Sequence, residues 1–254
     1  MRLIRLDYKD EGYAVMTLNR PDKMNAINHE MINGLKSALE EIRAKEGVTF
    51  VVLTGAGDRA FCAGGDLKEF HGDLEAQEAY ALLSPMKDVL YKLATLPIPT
   101  IALLNGQARG GGCELATACD FRYARQGTSF GFVQGNLGIA PGWGGGALLY
   151  ERIKRDMAAH WLLTSEMLTA DEVKEFGWLH KVCTEEEWQS GQLLTPLLNK
   201  TPAQTKWFKR QLLSSLRLDE LSVRMEEETA HTSVLWESEE HKEAVQKFLI
   251  SRKN

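Results

Sequence analysis

No apolar run in this 254-residue chain approaches the roughly 20 residues that a membrane-spanning helix needs. The start, MRLIRLDYKDE, turns charged at once, so no secretory leader is expected. Positive charge is also short. Thirty basic side chains face 35 acidic ones, a net charge of −5, and no basic run is long enough to form a nucleic-acid patch. Cysteine is scarce. Cys62, Cys113, Cys119 and Cys183 lack metal-ligand spacing, which points to buried thiols in a reducing compartment, the cytoplasm, and to no metal centre. No internal repeat or low-complexity linker interrupts the chain. GAGDRA (Gly55–Ala60) does not carry the dinucleotide fingerprint, and there is no P-loop lysine pattern. What remains is one folding unit whose 44% hydrophobic content suffices for a large core.

What is present alternates. Leu3–Leu6 and Tyr13–Leu18 read as short strands, and Pro21 ends the second because it has no N–H for a ladder bond. Asn28 is placed to cap a helix to about Ala44, with Met31, Ile32, Leu35, Leu39 and Ile42 at helical spacing. Phe50–Thr54 (FVVLT) suits a buried parallel strand. A helix over Glu75–Leu96, stopped by Pro97 and Pro99, separates it from the buried strand Ile101–Leu104, and Phe121–Ala124 follows as another. Beyond Gly142 come short helices, an edge strand at Leu179–Val182, and a helical tail from Trp188 to Ile250. Thr201 before Pro202 marks one tail helix, and Asp219 reads as the cap of another. The pattern is α/β, with glycines after two buried strands, and such folds bind ligands beyond the carboxyl ends of strands.

The chain is organised around Gly106–Asp120, GQARGGGCELATACD. Gly110, Gly111 and Gly112 run into an alanine-rich helical segment. A glycine run opening a helix leaves N–H groups pointing one way, which suits a developing negative charge. Glu114 follows one turn later. It is either an acid–base group beside that glycine nest or a first-turn acid favouring the helix dipole.

Five motifs in order resemble the crotonase superfamily, the enoyl-CoA hydratase/isomerase family. They are NRPDKMNAIN (Asn19–Asn28), AFCAGGDLKEF (Ala60–Phe70), NGQARGGGCELATACD (Asn105–Asp120), LGIAPGWGGG (Leu137–Gly146) and LLTSEMLTADEVKEFGWLHKV (Leu162–Val182). The resemblance implies an α/β fold built as a spiral of ββα units over about residues 1–190. It also implies a C-terminal helical region, 191–254, that closes the pocket and builds trimers or dimers of trimers. The implied substrate is an acyl-CoA thioester, with coenzyme A entering as part of it and no separate cofactor. The family's oxyanion hole falls on the backbone N–H groups of Gly65 and Gly111; losing one such donor typically costs roughly 3–4 kcal/mol. Coenzyme A contacts match Lys23, Met24 and Ala26, then Ala63, Asp66 and Leu67, with Lys23 and Lys68 as phosphate partners. His29 and His71 match no catalytic position.

One position departs from the pattern. Glu114 matches the family's first glutamate, but where the family has FGxPE this chain reads FGFVQ, Phe130–Gln134. Gln134 cannot take a proton from water, although it can orient one. Decarboxylation of a malonyl-type (methylmalonyl- or ethylmalonyl-like) CoA needs only an enolate, the two N–H donors and one proton donor. ACDFR (Ala118–Arg122), Phe132–Val133 and PGWGG (Pro141–Gly145) also resemble the ethylmalonyl-CoA decarboxylase branch, with Trp143 the most distinctive residue, either pocket wall or filler beneath the glycine turn. The expected reaction is therefore that decarboxylation, with 2-enoyl-CoA hydration or enoyl-CoA isomerisation as the alternative and a non-catalytic acyl-CoA-binding role behind both.

Overall fold

The computed structural model describes residues 2–70 and 74–251, with the side chains of Leu67, Lys68, Leu249 and Ser251 outside the description. His71 lies outside it as well. The larger sheet has six strands in the order β1 (Ile4–Tyr8), β2 (Ala14–Leu18), β3 (Val51–Gly55), β5 (Thr100–Leu104), β7 (Phe121–Arg125) and β10 (Lys181–Cys183). Only β1–β2 is antiparallel; the other pairs are parallel. A second sheet stacks short strands in the order β4 (Ala60–Cys62), β6 (Gln107–Arg109), β8 (Ser129–Gly131) and β9 (Leu168–Thr169). After β3, β5 and β7 the chain steps to β4, β6 and β8 of the small sheet and then into helix. That repeated step is the ββα spiral of an α/β crotonase-like fold.

The helices follow from local signals. Asn28 Oδ1 accepts from Met31 N at 3.0 Å and opens α1 (His29–Ala44), whose apolar stripe is buried. After the short α2 (Leu67–Phe70), a reciprocal Glu75–Glu78 capping box starts α3 (Ala76–Ala94). Then come α4 (Gly111–Ala118), α5 (Gly145–Arg152), α6 (Arg155–Thr164), α7 (Ala170–Glu175), α8 (Glu185–Ser190) and α9 (Thr195–Leu198). The tail continues as α10 (Pro202–Ser215), α11 (Leu218–Glu237) and α12 (Glu239–Ser251). Thr201 caps α10 as its sequence indicated. Asp219 does not cap α11: that helix starts one residue earlier, after Arg217, and Asp219 sits in its first turn.

The tail is fastened to the core through a buried ion pair. Asp120, where α4 gives way to β7, accepts from Lys209 Nζ of α10 at 2.6 and 2.7 Å and from Thr100 N at 2.9 Å. Lys209 Nζ also donates to Ala94 O at 2.9 Å. Helix α11 lies along α3 and α5. All four cysteines are buried and free.

Candidate active site

Gly65 follows β4. Ile27 N donates to Gly64 O at 2.8 Å and Asp66 N to Ile27 O at 2.7 Å, so the ladder around Gly65 leaves its own N–H without a partner among the described residues. Gly110, at φ +51°, turns the chain into α4, a conformation glycine adopts without steric penalty. The amides of Cys113 and Glu114 return to Gly110 O, while the Gly111 N–H has no partner among the described residues. The two loops touch: a Cβ on Gly64 would stand 3.4 Å from Gly111 N. Close approach fixes glycine at 111 and 112. A Cβ at Gly111 would meet Trp143 Cζ3 at 2.2 Å, and one at Gly112 would meet Cys62 O at 2.1 Å. Trp143 thus packs directly on Gly111 and also walls the cavity, edge-on to Phe70.

Glu114 is 2% exposed in the first turn of α4. Its Oε2 accepts from Trp143 N at 2.9 Å and Gly145 N at 3.0 Å, and its Oε1 from Gln134 Nε2 at 2.8 Å. Burial disfavours the ionised form more strongly than these three donors favour it, and the carboxyl is raised to about 7. Gln134 lies on a 3-10 turn, Val133–Leu137, and is 9% exposed. A second carboxyl, absent from the sequence reading, shares the same helix end. Glu228 of α11 accepts from Gly146 N at 3.3 Å and Ala147 N at 2.6 Å. Burial and the nearby Glu114 charge hold it well above the ordinary carboxylate range. It falls in the acidic run Glu226–Glu228, which gives no local hint of an inward face.

One cavity of about 1430 Å³ gathers Gly65, Gly111, Glu114, Gln134 and Trp143 with Lys23, Met24, Ala26, Ala63 and Asp66. Its size exceeds that of ordinary small-ligand pockets. Several of the backbone groups near Lys23 are already paired: Ala26 N donates to Lys23 O and Ala63 N to Met24 O, both at 3.1 Å. The Asp66 carboxylate binds Arg20, which also donates to Ala26 O at 3.1 Å. Lys23 is exposed on the wall. The side chains of Leu67 and Lys68 lie outside the described residues. His29 stacks on Phe70 outside the gathered set. Sequence reasoning missed Arg59, Arg109 and the α11–α12 residues Trp236, Ala244 and Phe248, which also line the cavity. The alternation of Gln107 and Arg109 around buried Ala108 was the available signal for the arginine. Among the described residues no group of three or more His, Cys, Asp or Glu is placed to hold a metal ion.

Residues 8–254 match the family described as Enoyl-CoA hydratase/isomerase. The short-chain-enoyl-CoA hydratase of Clostridium acetobutylicum is 30% identical over 249 residues, 96% of this chain and 94% of that protein. The crotonyl-CoA hydratase of Syntrophomonas wolfei is 38% identical over 179 residues, 70% and 68% of the two chains. The ethylmalonyl-CoA decarboxylase of Xenopus laevis is 31% identical over 184 residues, 72% of this chain and 61% of that one. A crystal structure of enoyl-CoA hydratase from Bacillus anthracis superposes with a TM-score of 0.78 at 30% identity, covering 98% of this chain and 96% of that one. These likenesses favour the hydratase/isomerase alternative over the decarboxylation first expected from Gln134 and Trp143. The chain belongs to the enoyl-CoA hydratase/isomerase family of the crotonase superfamily and is an acyl-CoA lyase of that family.

Proposed function

We propose that the protein is an enoyl-CoA hydratase/isomerase that relies on a single carboxyl group, Glu114, for proton transfer. The observation that carries this reading is the buried Glu114 carboxyl, raised to about 7, in one cavity with the Gly65 and Gly111 amides. A group titrating there exchanges protons readily near neutral pH. In hydration, a water held against Glu114 and Gln134 adds its oxygen to C3 of a 2-enoyl thioester. Its proton passes to Glu114, and the electron pair of the double bond moves onto the thioester oxygen, where the Gly65 and Gly111 N–H groups receive it. Glu114 then returns the proton to C2. In isomerisation the same carboxyl takes a proton from C2 of a 3-enoyl thioester and delivers it to C4, so one base suffices.

A second reading, decarboxylation of a malonyl-type CoA, is favoured by Gln134 standing where a second carboxylate belongs. Loss of carbon dioxide leaves the same enolate, which a protonated Glu114 quenches at C2. The deciding experiment incubates the protein with crotonyl-CoA, 3-hexenoyl-CoA, methylmalonyl-CoA and ethylmalonyl-CoA and identifies products by mass. Conversion of the enoyl thioesters supports the first reading. Turnover confined to the malonyl-type substrates replaces it with the second.

A further inference from the structure

Gln134 carries an imbalance. Its Nε2 donates to Glu114 Oε1, yet its own Oε1 is buried with no hydrogen-bond partner among the described residues, on a side chain that lines the cavity. A buried acceptor left unmatched has lost its hydration with nothing in return, so this atom calls for a donor from a ligand. The two oxygens of Glu114 are also unequal. Oε2 already faces two backbone N–H groups, so a proton arriving on the carboxyl settles on Oε1, the atom facing Gln134. An Oε1–H pointing at an amide N–H sets donor against donor. A half-turn of the amide exchanges its oxygen and nitrogen, which are nearly isosteric, and restores the bond. There is room for it: a Cβ at Gly110 would stand 3.6–3.8 Å from the amide atoms, and glycine leaves that space open.

We propose that Gln134 is a proton-coupled rotor. It offers the ligand an acceptor while Glu114 is ionised and a donor while Glu114 is protonated. This rests on the acyl-CoA reading of the cavity and selects between two ligand classes. A thioester with a hydroxyl on C3 meets the acceptor form; one with an anionic oxygen on C2 meets the donor form and draws a proton onto Glu114. A second carboxyl stands beside Glu114: Glu228, itself raised by burial and by the Glu114 charge, so the Glu114→Gln variant decides which of the two takes the proton. Glu228 from α11 is held by Gly146 and Ala147, and the Cys62 and Cys113 thiols are pushed up by burial, Cys62 to about 12. On the cavity wall, Asp66 is bound to Arg20.

The test is isothermal calorimetry at pH 8 in two buffers of different ionisation enthalpy. The anionic probe is 2-sulfopropionyl-CoA, whose sulfonate neither protonates nor leaves, and the hydroxyl probe is 3-hydroxybutyryl-CoA. The sulfonate should bind with uptake of nearly one proton and weaken about fivefold between pH 7 and 8, because only the protonated fraction accepts it. The hydroxyl probe should bind without uptake. Gln134→Met, which keeps the volume and removes the amide, should bind the sulfonate without that proton, as should Glu114→Gln. Uptake that persists in Gln134→Met reduces the effect to simple charge repulsion and overturns the rotor. Persistence in Glu114→Gln overturns it too, by placing the proton elsewhere. Binding without uptake in the wild type sinks the rotor alone, whereas no binding of either probe sinks the acyl-CoA reading beneath it.

Discussion

Glu114 has an ordinary carboxyl made reluctant to ionise by its burial, and that single fact has two measurable consequences. Replacing it by Gln should lower kcat/KM by about 10²–10⁴-fold, the usual contribution of a positioned acid–base group, while Tm measured at pH 5 moves little. The same group links pH to stability. Its folded-state value, about 7, lies above the unfolded 4.5, so the folded state holds the proton more tightly and stability falls as pH rises between these values. Glu114→Gln should therefore gain on the wild type by about 3 kcal/mol between pH 4 and pH 8 in urea titrations. A gap that narrows over that range contradicts the burial argument. Gly112→Ala places a Cβ 2.1 Å from the Cys62 carbonyl, which is backbone and cannot swing aside, so soluble, folded protein should be hard to recover. At this scale the sequence was informative where chemistry is carried by residue type in a motif: the glycines, Glu114 and Gln134 were all named from it. It was silent where a role depends on distant partners. Nothing around Glu228 or Lys209 marks either as buried, because their partners lie 81 and 89 positions away.

Elements were legible in proportion to their length. Helix α1 was read from Asn28 to Ala44, and β3, β5 and β7 were placed within a residue or so, because each carries a long periodic or β-branched run. The second sheet was invisible. Strands β4, β6, β8 and β9 have only two or three residues apiece, too few to display a period, and they form because the spiral delivers them to one another. Its C-terminal counterpart, α12, was read as a helix, but its contact with the cavity depends on a docking that no local pattern shows. His241 Nδ1 lies 2.6 Å from Leu137 O, at the end of the turn that carries Gln134. Ending the chain after Ser238 removes the cavity wall contributed by Ala244 and Phe248. Such a variant should raise KM for its thioester substrate by about tenfold or more with a smaller change in kcat, the signature of lost uniform binding.

Across the whole molecule, core and tail meet at Asp120. Breaking one side of a buried ion pair usually costs about 3–5 kcal/mol, so Lys209→Ala should lower the urea midpoint by that equivalent, whereas the pairs on the outer helices, such as Lys247–Glu243, should contribute almost nothing. Trp207, Phe208, Val223 and Val234 of α10 and α11 remain exposed with Leu163. A trimer or dimer of trimers, as the family likeness implies, would offer such residues a partner surface, and sedimentation velocity should show a species three or six times the 28.5 kDa chain. Helix α5 joins the two halves of the molecule in a further way. Its leading amides are divided between owners, Gly145 serving Glu114 of the core and Gly146 and Ala147 serving Glu228 of the tail. Deuterium uptake at those three neighbouring positions is therefore a built-in sentinel: undocking of α11 alone would unmask the second and third while the first stays dark.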